Sequence, residues 1–193
     1  MASMIFPDGS RTYDIAEIHN RLAGLGIALR DWSVPPQPNI AALLNKAALS
    51  DDEKQAALDS VVHRLDELRA AHGYSTCDMI VIHEDIPGLA EMLAKFEKIH
   101  YHTDDEVRYI LAGRGYFGFV DGAGDQFMLE VTAGDYINVP ANTEHWFTLG
   151  DSPRIKAVRY FIDTSGWSPV YTDRPPAFAD DFFSGQRMHG SAA

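Results

Sequence analysis

The stretch that decides the fold is HYHTDDE, residues 100–106. In a β-strand, residues i and i+2 project from the same face, so His100 and His102 are expected to point the same way. A turn through residues 103–105 would bring Glu106 back beside them at the start of the next strand. His145 opens a later strand, and an antiparallel barrel would carry it to the same interior point. The pattern therefore predicts a site of three imidazoles and one carboxylate.

This mixed nitrogen and oxygen donor set suits Fe(II), Ni(II), Mn(II) or Zn(II). It lacks a soft sulfur ligand, and the single cysteine, Cys77, is too isolated to build a structural zinc site. A lone His-x-His pair is more often surface or core histidine than a pair of ligands. The positions of glycine and proline around the four residues therefore have to decide between metal ligands and ordinary histidines.

The spacing of these glycines and prolines resembles the two motifs of the cupin superfamily. Six residues separate Glu106 from Gly113, and five separate Gly134 from Pro140, which precedes His145. Two glycines that usually belong to these motifs are replaced, by Ala94 in the first and by Asn142 in the second, and Leu149 replaces a terminal asparagine. Asparagine tolerates a left-handed backbone, so the turn before His145 can survive.

The first part of the chain is predicted to be helical. Apolar residues recur every three to four positions over residues 14–25, a spacing typical of one helical face. A second helix is expected to start at Ser50, whose pairing with Glu53 matches a capping box, and to end at Gly73. Its predicted buried stripe consists of Leu58, Val61, Val62, Leu65 and Leu68.

From Cys77 onward, short runs rich in Val, Ile, Tyr and Phe predict antiparallel strands. Glycine-rich segments at 113–115 and 121–124 are predicted to be turns between them. The expected fold is α+β and mainly β: a cupin-type antiparallel β-barrel (jelly roll) with N-terminal helices packed on it. We expect one domain over 1–193, with a mostly helical part at 1–76, the barrel at 77–165 and an irregular tail at 166–193.

Composition restricts the partners. The net charge of −12 and the isoelectric point near 4.9 argue against nucleic acid, because phosphate binding needs clustered Lys and Arg. The sequence contains no stretch of about 18 apolar residues, so no membrane span is expected. The N-terminus does not resemble a signal peptide. One cysteine favours the reducing cytoplasm. A monomer is expected, since neither a heptad nor a long apolar edge stands out.

The segment around the four ligands also resembles one family in particular, the acireductone dioxygenases of methionine salvage. The residues that carry the resemblance are HYHTDDEVRYIL at 100–111 with GRGYF at 113–117, DYINVPANTEHWF at 135–147, IKAVRYF at 155–161, and Gly166-Trp167. Few other cupins place Val-Arg-Tyr directly after the glutamate. The helical first half also fits this family's layout, so the resemblance covers most of the chain.

The resemblance implies an oxidoreductase that cleaves 1,2-dihydroxy-5-methylthiopent-1-en-3-one, an acireductone, with O2. With Fe(II) bound, the implied products are formate and 4-methylthio-2-oxobutanoate. With Ni(II), they are carbon monoxide, formate and 3-methylthiopropanoate. The implied metal ligands are His100, His102, Glu106 and His145, and the implied cofactor is one Fe(II) or Ni(II) ion.

Five further residues are candidates for binding the substrate. Arg108 lies two residues from Glu106 on the same predicted strand face, so its cation would offset the charge of a metal-bound enediolate. Arg159, on an apolar strand, is the second cationic candidate. The alternative to a role in substrate binding is that Arg159 belongs to a buried ion pair. Phe96, Phe147 and Trp167 are candidates for an apolar wall around the methylthio tail. No catalytic residue is predicted beyond the metal site and Arg108.

Two other functions remain open from the residues alone. The chain could be a different metal cupin, either another dioxygenase or an isomerase, or it could be a cupin that binds metal without catalysis. The Val-Arg-Tyr continuation after Glu106 argues against the first alternative. The lack of an accompanying DNA-binding module argues against a regulatory role.

Overall fold

The computed structural model of the chain describes residues 2–34, 37–150, 153–163 and 168–178. The described part contains five helices: α1 (Ile15–Ala23), α2 (Pro38–Asn45), α3 (Asp51–Ser60), α4 (Val62–His72) and α5 (Leu89–Phe96). Its strands are β1 (Ser3–Ile5), β2 (Arg11–Thr12), β3 (Ala28–Asp31), β4 (Thr76–Ile82), β5 (His100–Tyr101), β6 (Glu106–Val120), β7 (Gln126–Thr132), β8 (Asp135–Val139), β9 (His145–Thr148), β10 (Ile155–Phe161) and β11 (Val170–Tyr171).

The long strand β6 organises the fold because it belongs to two antiparallel sheets. Its first half pairs with β8 and β10, and its second half pairs with β7 and β9. The first sheet has the order β11-β5-β9-β6-β7-β1-β2, and the second has the order β3-β8-β6-β10-β4. Among the described residues these pairings do not run in a closed ring. The mainly antiparallel architecture with helices agrees with the predicted α+β class.

Gly113 marks the point where β6 passes from one sheet to the other. Its φ is +80°, and a Cβ there would lie 1.9 Å from the Arg154 carbonyl oxygen, so only glycine fits. The turn predicted at 113–115 is therefore wrong. The glycines allow one strand to bend and to pass close to β10, whereas the turn predicted at 121–124 does separate β6 from β7.

The second sheet is covered on both faces. Its inner face joins the core between the sheets, which includes Ile110, Ile137 and Ala157. Its outer face packs against residues of α2, α3 and α4 through a second cluster that contains Trp32, Tyr109, Tyr136 and Tyr160. Burial on both faces explains the runs of consecutive apolar residues in the central strands of this sheet, such as residues 79–82 of β4 and 109–112 of β6.

The helical predictions are confirmed in part. The capping box is present: the Ser50 hydroxyl accepts a hydrogen bond from the Glu53 amide, and the Glu53 carboxylate accepts one from the Ser50 amide. Gly73 ends α4 in the left-handed conformation. The single long helix is wrong, because Val61 leaves helical geometry and separates α3 from α4. Val62 is consequently 51% exposed rather than part of the buried stripe.

Both ends of the chain contribute strands to the sheets. The first 76 residues supply β1, β2 and β3 in addition to their helices. In the tail, β11 pairs with β5, so that Tyr171 lies opposite His100. None of the helices among the described residues is both long and apolar enough to cross a membrane.

Candidate metal centre and substrate cavity

The structure brings together His100, His102, Glu106 and His145. His100 lies on β5 and is paired with His145, the first residue of β9, while Glu106 is the first residue of β6. All four side chains are buried, and one donor atom from each lies within 4.8 Å of the others. The sequence therefore predicted which side chains converge.

Two loops beside this cluster are joined to each other. The amide of Asn142 donates to the carbonyl of His102 over 2.8 Å, and the amide of Ala141 donates to the Asp105 carboxylate over 3.0 Å. Asn142 has a φ of +63°, the left-handed conformation that its replacement of glycine required. No sequence motif marks Asp105, although this residue connects the loop before Glu106 to the loop before His145.

Backbone contacts of two histidines direct their other ring nitrogens into the cluster. The Nδ1 atoms of His100 and His145 lie 2.7 and 2.8 Å from the backbone carbonyls of Lys98 and Thr143. A neutral imidazole that donates from Nδ1 carries a bare lone pair on Nε2. The Nε2 of His145 lies 3.1 Å from the Glu106 carboxylate, and the Nε2 of His102 lies 3.2 Å from it. Imidazole nitrogens and a carboxylate oxygen thus converge in a donor set that could hold a divalent metal.

The charge of Glu106 is stabilised within the protein. Burial alone would raise the pKa of this carboxyl, but the Arg108 cation and the contacts with His102 and His145 lower its pKa well below the usual range. The nearest Arg108 nitrogen lies 3.0 Å from Glu106. Burial lowers the pKa of His100 to about 4, and the neighbouring His145 adds to that effect. Near neutral pH the cluster thus combines a carboxylate with a neutral His100.

The two predicted arginines lie side by side at the cluster. Arg108 and Arg159 are directly opposite each other on β6 and β10. Burial lowers the pKa of Arg108 to about 10, which leaves its guanidinium charged at neutral pH. Arg159 contacts both carboxylate oxygens of Asp78 on β4, and the Nε–Oδ1 distance is 2.7 Å. Arg159 therefore lines the cavity wall and also forms an ion pair, but this pair is not the buried one considered from the sequence, because 28% of the Arg159 side chain and 47% of the Asp78 side chain are exposed.

A cavity of about 510 Å³ opens beside the cluster. The four clustered residues, Arg108 and Arg159 line one part of it, and Phe96 and Phe147 also contribute to the wall. Phe96 is 38% exposed, whereas the Phe147 ring packs against Phe117 at a centroid distance of 5.0 Å. Trp167, the last candidate, lies outside the described residues. Tyr171, which no sequence motif marks, has its ring centroid 5.8 Å from that of His100.

Comparison with known proteins gives the family of the chain. The model of the ARD/ARD′ family matches residues 34–169, well over half of the sequence. The chain belongs to the ARD/ARD′ family. This ARD/ARD′ member is 46% identical over 160 residues to an acireductone dioxygenase of Leptospira biflexa, a match that covers 83% of the chain and 89% of the relative. It is 45% identical over 172 residues to that of Trichodesmium erythraeum, covering 89% and 95%.

A solved structure extends the likeness to the fold of this ARD/ARD′ family member. Acireductone dioxygenase from Bacillus anthracis, with a cadmium ion in its active centre, superposes with a TM-score of 0.80 at 33% sequence identity. The match covers 89% of this chain and 98% of that one. The predicted fold class and the suspected family are therefore confirmed. The bound cadmium shows that the active centre of that relative accepts a divalent cation.

Proposed function

We propose that this chain is a metal-dependent acireductone dioxygenase that cleaves 1,2-dihydroxy-5-methylthiopent-1-en-3-one with O2. The observation that carries the proposal is the buried cluster of three imidazoles and one carboxylate at the polar part of an otherwise apolar cavity. The activity named for the relatives from Leptospira biflexa and Trichodesmium erythraeum supports it, because the matches span most of each chain.

In this proposal His100, His102, Glu106 and His145 hold one Fe(II) or Ni(II) ion. When bound, such an ion supplies Lewis acidity and a template for a chelating enediolate. The backbone carbonyls of Lys98 and Thr143 fix the rings of His100 and His145, so that the Nε2 atoms face the cluster. Glu106 contributes one negative charge, which Arg108 holds in place from 3.0 Å away.

Arg108 and Arg159 are proposed to bind the oxygens of the substrate. A dianionic enediolate brings more negative charge into the site than the cluster alone carries, and Arg108, whose side chain is only 11% exposed, is a cation beside it. The Asp78 carboxylate holds Arg159 next to Arg108. Phe96, Phe147 and Trp167 are proposed to contact the methylthio tail and to keep water away from it. The proposal needs no catalytic residue beyond these groups.

The setting of the reaction is part of the same proposal. We infer a role in methionine salvage, a cytoplasmic location and a monomeric enzyme. The substrate proposed for the cavity supports the pathway, and the single cysteine supports a reducing compartment. The mixed nitrogen and oxygen donor set suits both iron and nickel. Because the proposed products differ between the two metals, the identity of the bound ion decides which products form.

The experiment that tests the proposal is a product assay on protein loaded with one metal at a time. Purified protein is stripped, reconstituted with Fe(II) or Ni(II), and mixed with synthetic acireductone and O2. We expect formate and 4-methylthio-2-oxobutanoate from the iron form. From the nickel form we expect carbon monoxide, formate and 3-methylthiopropanoate. Acireductone that decays no faster with either loaded form than in buffer would overturn the proposal.

A further inference from the structure

The floor of the cavity changes from polar to apolar in three rows of the second sheet. Residues paired across β4, β10 and β6 form these rows, and their side chains line the cavity. The first row contains Arg159 and Arg108, beside the cluster. The second contains Ile80, Ala157 and Ile110, and the third contains Ile82 and Ile155.

The apolar floor is longer than the proposed substrate needs. Ile155 lies four positions before Arg159 along β10, which corresponds to about 13 Å at the usual rise of a strand. The methylthioethyl tail of the acireductone has four bonds beyond the carbonyl carbon. At about 1.3 Å of extension per bond it reaches about 5 Å. About 8 Å of apolar floor therefore lies beyond its end.

The opposite wall and the cavity volume lead to the same conclusion. On β9 the polar His145 is followed two residues later by Phe147, whose ring packs against Phe117 on β6. The cavity holds about 510 Å³. Ten heavy atoms of acireductone fill about 300 Å³ even when each is given the volume of a water molecule. The remaining space is lined mainly by aliphatic and aromatic side chains rather than by groups that would hold ordered water.

We propose that this enzyme also takes acireductones with longer apolar tails, up to about eight carbon atoms beyond the carbonyl. The inference rests on the proposed function and specifies the class of substrate for that same site. The 1,2-dihydroxy-1-en-3-one head stays at the cluster and at Arg108. The tail lies over the second and third rows of the floor, and Ile82 and Ile155 set the limit of its length. Each methylene that is buried can strengthen binding by up to about fourfold.

The test is a series of synthetic acireductones with butyl, hexyl, octyl and dodecyl tails, the butyl compound being the carbon analogue of the methylthio substrate. With metal-loaded enzyme we expect kcat/KM for hexyl and octyl to equal or exceed that for butyl, and kcat/KM for dodecyl to fall. A second readout avoids turnover: calorimetry of zinc-loaded protein with 1-hydroxyhexan-2-one and 1-hydroxydecan-2-one. The octyl ketone is expected to bind at least tenfold more tightly than the butyl ketone.

Variants locate the effect in the third row. Ile82→Phe shortens the floor and should lower kcat/KM for octyl at least tenfold while leaving butyl within twofold. Ile15→Phe makes the same change at an exposed position on α1 and should alter neither. A tenfold lower kcat/KM for octyl than for butyl in the wild type, or an equal loss of kcat/KM for both tails in Ile82→Phe, would overturn the inference and leave the proposed function intact. Failure to turn over the methylthio and butyl compounds would overturn the proposed function, and the inference with it.

Discussion

The packing of Gly118 against Trp146 leads to the sharpest stability prediction. Gly118 on β6 lies opposite Trp146 on β9, whose side chain is fully buried. A Cβ at residue 118 would lie 1.9 Å from Cε2 of the indole, far inside van der Waals contact. The indole has no solvent-facing side into which it can move, because Phe178 packs on it at a centroid distance of 5.9 Å. Gly118→Ala therefore requires β9 to move away from β6.

Overpacking of this kind usually costs 1–3 kcal/mol, and we expect about 3 kcal/mol here because the clash is with a whole buried ring. For a chain of this size that lowers Tm by about 6–12 °C. The assay is thermal unfolding of metal-free protein. Gly122→Ala serves as the control, because a Cβ at Gly122 meets nothing within 4 Å. Since His145 precedes Trp146, metal affinity should fall as well. A Gly118→Ala protein within 1 °C of the control would refute this reasoning.

Three further predictions concern the charged groups of the site. Arg108→Met should lower kcat/KM per bound metal ion by about 30-fold, which corresponds to ~2 kcal/mol for a hydrogen bond to a charged group. Elemental analysis supplies the metal content, and wild-type turnover per bound metal would contradict the role of Arg108. Metal-free protein should lose stability as the pH falls from about 6.5 to about 4, because unfolded histidine takes a proton near 6.5 and folded His100 only near 4. The neutral His100 contributes about 3 kcal/mol to the free energy of unfolding, and this contribution is fully present above pH 6.5. Chemical unfolding at several pH values measures it. An equally steep fall of the unfolding free energy with pH in His100→Gln would contradict the prediction. Removing the metal with a chelator should lower Tm, since a free metal concentration of 100 times the Kd adds about 2.7 kcal/mol to the free energy of unfolding. Equal melting curves with and without chelator would count against a bound metal.

The convergence of the four cluster residues was predictable because it depends mostly on local geometry. The alternation of side chains along a strand places His100 and His102 together, and a short turn returns the chain to Glu106. His145 required the spacing of glycine and proline around it. The long strand β6 was not predictable as one element, because Gly113 and Gly115 resemble turn residues. Their function here is to let β6 bend close to β10 and to Phe147.

Other features depend on contacts between distant parts of the sequence, which local patterns do not encode. The strands β1 and β3 are short and gain their pairing from β7 and β8, more than 100 residues away. The ion pair of Arg159 with Asp78 exists because β4 and β10 are adjacent. In the same way, β11 is a strand only through its pairing with β5. Apolar periodicity alone assigns none of these partners.

The most direct test of the central claim is metal content and turnover measured together on the wild type and on His145→Ala. His72→Ala, at an exposed position in the last turn of α4, is the matched control. We predict one divalent metal per chain and O2-dependent loss of acireductone for the wild type and the control, with both lost in His145→Ala. Undiminished metal binding and turnover in His145→Ala would contradict the claim that these four residues form the metal centre of an acireductone dioxygenase.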